Sequence, residues 1–309
     1  MQARRLFGIS ALSSAMLLGA SIASAQGAPD GYSADGYVQA GVFWIGSDWK
    51  PYVLGKGWLD VPFPGGDSIP GMGLELSFSG VGSDTGQVSA VFPAFYFGLG
   101  NTRVSLGLPR SAFDDAGLRR DMASPYGPLG LELDAILRGS YATQVQYSDI
   151  YSPGVRIDGK IGNLEASASY LYDRTNGVRS AAVSARYDNT GGVSVSGAVE
   201  VATDGVTSVN SYLLGVEKDD GAMRYGLQYG KAMLSIDKFA SGYIEYDISD
   251  RLTAGATGLK VIGTPGYLVG VDARYDLGDF SLDGSYLTGG VLADDTGTVT
   301  ANFSIGMDF

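Results

Sequence analysis

The last eleven residues alternate without exception: Val299, Ala301, Phe303, Ile305, Met307 and Phe309 fall on one side of an extended chain, and Thr300, Asn302, Ser304, Gly306 and Asp308 on the other. A period of two belongs to a strand with one apolar and one polar face, not to a helix. The pattern recurs upstream. Leu164, Ala166, Ala168 and Tyr170 oppose Glu165, Ser167 and Ser169; Val193, Val195, Val199 and Val201 oppose Ser194, Ser196 and Glu200. Met223, Tyr225, Leu227 and Tyr229 oppose Arg224 and Gln228, and Tyr267, Val269, Val271, Ala273 and Tyr275 oppose Asp272 and Arg274.

A soluble sandwich also alternates, but its apolar face must build one dry core, and here that face is often only Ala, Val or Gly. Small apolar residues suffice against lipid. Strands of about 9 to 11 residues cross a bilayer when tilted, and many end in Tyr, as at Tyr170, Tyr172, Tyr187, Tyr229, Tyr246 and Tyr275. The expectation is a transmembrane antiparallel β-barrel.

The export route agrees. Arg4 and Arg5, an apolar stretch from Leu6 to about Ala20, and Ala23-Ser24-Ala25 make residues 1–25 a signal peptide to be removed, with 26–309 as one barrel domain. An uncleaved anchor is the weaker reading of the same stretch. The whole chain carries a net charge of −12, and without residues 1–25, which hold two Arg and no acid, about −14, which disfavours a nucleic-acid partner. No Cys means no disulfide. No His removes Ser-His-Asp and Cys-His catalysis and most zinc and iron sites, so neither an enzyme nor a cofactor or metal site is expected. Gly, 47 of 309 residues, is about twice its average usage of roughly 7%, as tight turns require.

Short turns, Gly100-Asn101, Gly162-Asn163, Asn189 to Gly192, Asp219 to Gly221, Ser249-Asp250 and Gly278-Asp279, alternate with longer connections. Parity then sets the strand number. Eleven strands lead back from Phe309 to the long segment after Arg110, and four clear ones precede it: Tyr37 to Ile45, Gly73 to Ser79, Gln87 to Leu99 and Thr102 to Leu108. Fifteen would leave the termini on opposite sides. A concealed strand in Pro51 to Val61, or a split of Gln87 to Leu99 at Pro93, makes sixteen; fourteen and eighteen are the alternatives, and the first location is preferred because the split leaves no turn residues. Sixteen strands are wide enough for an aqueous channel.

The terminal FSIGMDF, the run FYFGLGNTRVSLGLP from Phe95 to Pro109, and the long connection directly after it resemble the general bacterial porins, of α-proteobacterial type. The resemblance spans most of the chain as pattern and departs from it in one place, since no PEFGG-type motif occurs between Arg110 and Tyr151. It implies an outer-membrane protein of a Gram-negative bacterium, a homotrimer among lipid and lipopolysaccharide, and recognition of Phe309 by the barrel-assembly machinery. It also implies that the third loop, 110–151, folds into the lumen and constricts it.

The resemblance therefore makes Arg110, Asp114, Asp115, Arg119, Arg120, Asp121, Glu132, Asp134 and Arg138 candidates on the loop, facing Arg103, Arg156, Asp158 and Lys160 on the wall. Facing rows of charge would screen solutes by polarity. Solvated outer loops are charged in any barrel, which is the plain alternative for each loop residue. Glu75, Glu165, Arg186, Glu200, Arg224, Glu245, Asp272, Arg274 and Asp283 are expected to wet the lumen wall. The implied function is passive diffusion of small hydrophilic solutes and ions. A substrate-selective channel on the same barrel, and a non-conducting barrel serving as adhesin or anchor, are the alternatives.

Overall fold

In the computed structural model, residues 33–63, 71–83, 86–118, 139–231, 238–278 and 284–309 are described. Before the long connection lie β1 (Ser33–Ile45), β2 (Asp48–Pro62), β3 (Met72–Ser83), β4 (Gly86–Leu99) and β5 (Thr102–Gly107). After it come β6 (Gly154–Ile161), β7 (Leu164–Asp173), β8 (Val178–Asp188), β9 (Val193–Thr203), β10 (Ser208–Asp219) and β11 (Met223–Lys231). The chain ends with β12 (Phe239–Ser249), β13 (Leu252–Val261), β14 (Tyr267–Asp276), β15 (Ser285–Asp294) and β16 (Val299–Asp308).

Every strand pairs antiparallel with its sequence neighbours, and β1 pairs with β16, so the sheet is a closed sixteen-strand barrel without edges. The concealed strand is β2, which contains Pro51 to Val61 whole; β4 runs unbroken through Pro93. Pro93 faces outward at the ladder and its carbonyl still accepts from the Leu108 amide at 2.9 Å. Closure is completed by Gly36 and Phe309, whose backbones exchange bonds of 3.0 and 2.9 Å. A Cβ at Gly36 would lie 2.4 Å from the Lys56 carbonyl, so this close approach requires glycine.

The tight turns behave as their residues dictate. Gly100 and Gly162, each followed by Asn, sit at φ +63° and +59° in the first central position of two-residue hairpins, where a left-handed backbone matches the twist of the strands. Two connections break the expected alternation of lengths: Ile45 passes to Asp48 in two residues at the end of the barrel that carries the long loop, and Pro62 to Met72 is long at the end that carries the termini.

Outward residues are apolar and uncovered, for example Leu227 at 66%, Val271 at 60% and Val199 at 51% exposure. A water-soluble surface rarely presents so continuous an apolar face. Exposed tyrosines mark both ends of it: Tyr187, Tyr246 and Tyr275 toward the termini, Tyr172, Tyr229 and Tyr267 toward the loop end. On β14, Tyr267 and Tyr275 are separated by about 26 Å of strand at about 3.3 Å per residue.

The inside is not polar throughout, contrary to the simplest extension of the alternation. Phe43, Tyr52, Leu54 and Val81 form a buried apolar cluster, and Leu213, Phe239, Leu259 and Leu292 belong to a second. The second has a clear reason: the long connection turns inward after Pro109, and its 3-10 turn, Ala112–Asp115, seats Ala112, Phe113 and Ala116 against those wall residues with Ala182 and Ala198. The wall is lowest where the loop enters, because β5 has six residues and β6 eight.

Candidate functional site in the barrel lumen

The returning half of the loop is fixed by polar bonds. Ser140 caps the short helix α1 (Tyr141–Gln146) by accepting from the Thr143 amide at 3.1 Å. Asp114 then ties the two halves of the loop together, accepting from the Ser140 amide at 2.7 Å, the Ser140 hydroxyl at 3.0 Å and the Thr143 hydroxyl at 2.8 Å. Glu200, 1% exposed, accepts from the Tyr141 amide at 3.0 Å and from the Ser180 hydroxyl, and Tyr141 donates to Asp173 at 2.9 Å. Burial, reinforced by the hydrogen bond to Asp173 and by its charge, pushes the Tyr141 phenol up to about 12. Gln146 donates to the Val91 carbonyl, and the Tyr147 and Ser79 hydroxyls lie 3.1 Å apart, so α1 is pinned to the opposite wall.

Beneath this loop an arginine ladder crosses the lumen wall. Arg103 makes a bidentate pair with Asp60, both bonds 2.7 Å, and a third bond of 2.7 Å to Glu75, which also accepts from Ser105 at 3.2 Å. Arg156 holds Asp158 at 2.6 Å and Asp115 of the loop, and donates to the Arg110 carbonyl at 3.3 Å; Asp158 accepts from Ser167 at 2.6 Å. Arg186 donates to Glu217 at 2.8 Å and Asp188 at 3.1 Å, and Glu217 accepts from the Tyr243 hydroxyl at 2.8 Å. Arg274 bridges Asp308 at 2.6 Å and Asp276 at 2.9 Å. Planar guanidinium forks suit such paired carboxylates.

Arg103, Asp115, Arg156, Asp158, Lys160 and Arg186 line one cavity of about 800 Å³ that reaches the terminal mouth of the barrel at Gly100, Asn101 and Gly162. The charges are intermingled along the wall, not set in facing rows. Each arginine is neutralised by wall carboxylates, Asp158, Asp188 and Asp276 two residues along the same strand and Asp60, Glu75, Glu217 and Asp308 on strands two or three away, and Asp115 to Arg156 is the ion pair that joins loop to wall among the described residues.

Three sequence expectations change. Asp114, with its side chain 1% exposed, is a tie inside the loop and does not face the lumen; Arg110 stands 3.7 Å from it. Lys160 pairs with Glu165 at 2.6 Å in the open mouth, away from the narrow part. Glu200 is a buried anchor, not a wetted wall residue, because an amide and a hydroxyl claim its oxygens. Arg119, Arg120, Asp121, Glu132, Asp134, Arg138 and Asp283 lie outside the described residues. Sequence reasoning missed Asp60, Tyr96 and Glu217. Asp60 was legible only once β2 was in register, since it stands opposite Glu75.

No family model and no curated protein matches the sequence. Among solved structures, an engineered variant of a porin of Rh. blastica superposes with a TM-score of 0.66 at 16% identity, covering 90% of this chain and 100% of that one. A second variant gives 0.65 at 17%, and a triple mutant of Rhodopseudomonas blastica porin gives 0.63 at 15%, with the same coverage. The fold is a porin fold. At such low identity the likeness concerns the barrel alone.

Proposed function

We propose that the protein is an outer-membrane pore for passive diffusion of small hydrophilic solutes and ions, exported by residues 1–25 and assembled as a homotrimer. The observation that carries this reading is the charged cavity of about 800 Å³ inside a closed sixteen-strand wall, opening at one mouth and narrowed by an inward loop. Barrels of this strand number leave an aqueous lumen. The exposed apolar band and its two tyrosine girdles supply the lipid-facing side, and the termini lie at the inner mouth by the usual asymmetry of such barrels.

Because the arginines are compensated locally, selectivity follows the acidic excess and is mildly cationic. Reconstitution of purified protein into planar bilayers tests the reading: stepwise insertion of channels with a linear, unsaturated current is expected. A current blocked by one sugar or amino acid at low concentration would make it a substrate-selective channel. Folded protein that inserts without conducting would make it an adhesin or anchor.

A further inference from the structure

The large apolar side chains that the described strands leave exposed point away from the lumen, with two exceptions: Ile45, in the last position of β1, and Trp58 of β2. Register fixes the side on which Trp58 lies. It shares a face of β2 with Lys56 and Asp60, and Asp60 takes both of its bonds from Arg103 inside the barrel. β2 pairs with β1 and β3 in unbroken register, so the indole faces inward too, and it is 37% exposed. An indole left open in a polar wall gives the fold little of the burial that tryptophan usually supplies.

The loop sets its height in the barrel. Lys56 stands opposite Ser79, whose hydroxyl lies 3.1 Å from that of Tyr147 at the end of α1, and Trp58 is the next inward residue toward the terminal mouth. Its direct cross-strand neighbours are Asp35 on β1 and Ser77 on β3, each within about 5.5 Å between Cβ atoms. A solute that has passed α1 on this side therefore meets a flat apolar face rimmed by a carboxylate, a hydroxyl and an ammonium. The charges around that face offset one another, since Asp60 is held by Arg103 and Asp35 stands diagonally from Lys56.

We infer that Trp58 is a stacking site for a pyranose ring, so that neutral sugars are the solutes this lumen retains longest. A pyranose has a face of C–H groups and an edge of hydroxyls that both donate and accept. The indole matches the face, and Asp35, Lys56 and Ser77 match the edge. The balanced rim favours a neutral solute over an ion. A single stacked face holds a ligand of this size on the order of millimolar, which delays transit and leaves the channel open to other solutes. The role of the site rests on the pore reading above, because the indole is reached through the lumen; binding itself can be read without conduction.

Trp58 is the last of three tryptophans, and the Trp44→Phe, Trp49→Phe double variant, altered on the outer face, leaves it as the reporter. The full barrel in detergent is titrated with glucose and with sorbitol, an open-chain polyol that has the hydroxyls without the ring face. Emission should shift and saturate at millimolar glucose, and show no saturation with sorbitol. A shift linear in glucose, one matched by sorbitol, or saturation by tetramethylammonium in place of glucose would each overturn the site. In planar bilayers, glucose should add current noise and lower conductance beyond sorbitol at equal viscosity. Trp58→Ala should weaken that effect about fivefold, while Trp58→Phe keeps most of it and Trp49→Phe all of it. An undiminished effect in Trp58→Ala would overturn the site as well. Should that variant fail to fold, Asp35→Ala, on an exposed residue, carries the test and should weaken glucose binding severalfold. Saturable fluorescence without conducting steps would sink the pore reading and uphold the site; conducting barrels indifferent to glucose would sink the site alone.

Discussion

The guanidinium of Arg103 lies 3.8 Å from the centroid of the Tyr96 ring. Tyr96 in turn covers Gly73 across the β3–β4 ladder, where a Cβ would fall 2.5 Å from the ring carbons. The stack recurs on the far side of the barrel seam: Arg274 lies 3.8 Å over Tyr286, which covers Gly306 so closely that a Cβ would fall 2.4 Å from it. In both, a ring protects the backbone at a glycine, an arginine sits on the ring, and two carboxylates hold the arginine. The lumen thus gains a cation fixed in place without a loop to support it.

Arg103→Gln should therefore act on selectivity more than on architecture. It leaves Asp60 and Glu75 without their cation, adding one uncompensated negative charge beside the cavity. At about 6 Å in water a unit charge is worth about 0.7 kcal/mol, about threefold in favour of a cation and about threefold against an anion, so the cation-to-anion permeability ratio should rise about tenfold, read as a reversal potential across a salt gradient. Arg103 is 29% exposed, so the stability lost should be only about 1–2 kcal/mol. Arg103→Lys should restore most of the selectivity. An unchanged reversal potential in the Gln variant would mean that permeating ions do not sense this pair.

Phe113 tests whether the loop is seated by its apolar knob. The side chain is 1% exposed among Leu213, Phe239 and Leu259 inside the barrel. Phe113→Ala should cost the loop about 3 kcal/mol of anchoring while leaving the strand ladders intact. Conductance should rise, and residues 108–153 should become cleavable by protease in otherwise folded barrels. Unchanged conductance together with unchanged protease resistance would assign the anchoring to Asp114 and Glu200 instead.

The barrel was legible because alternation is written into each strand and parity counts the strands; β2 could be inferred, despite Pro51, from the need for termini on one side. The lumen was legible only in part. Inward parity set Arg103, Arg156 and Arg186 on the wall where they line the cavity, but partners on other strands depend on register, which no single strand encodes. Thus Asp60 and Glu217 went unseen, and Asp114 was read as a lumenal charge because nothing in the sequence tells a carboxylate aimed at water from one aimed at Ser140. Phe113 had no periodic signal, being one aromatic in an irregular segment.

The Tyr141 phenol gives the loop a pH limit. Its folded value, about 12, lies above the ordinary phenol value of about 10. A group raised in the folded state contributes stability that is complete below about pH 10 and is lost as pH rises through about 12. Ionisation places a phenolate against Asp173 and releases α1. Difference absorbance at alkaline pH between wild type and Tyr141→Phe should show one tyrosine titrating near pH 12, and loop cleavage by protease should rise over the same range in wild type only. A phenol titrating near pH 10 would show that the bond to Asp173 is not kept in solution.

Phe309 joins two tasks that a deletion alone would confuse. Its backbone closes the barrel on Gly36, and its ring stacks on Phe78, centroids 6.4 Å apart, with Val38 and Val91 around them. Deleting it removes both, whereas Phe309→Ala keeps the two backbone bonds and removes only the ring. If the ring serves mainly to stabilise the seam, both variants should unfold at lower temperature, with Phe309→Ala costing about 2 kcal/mol, while their abundance in the outer membrane falls in proportion. If the ring is read by the assembly machinery, Phe309→Ala should refold in detergent almost as well as wild type and yet be depleted in cells. The second outcome is expected, because the ring remains partly exposed at the terminal end and can be contacted before the seam closes. Normal levels of Phe309→Ala in the outer membrane would leave the seam contact as the whole role of this residue.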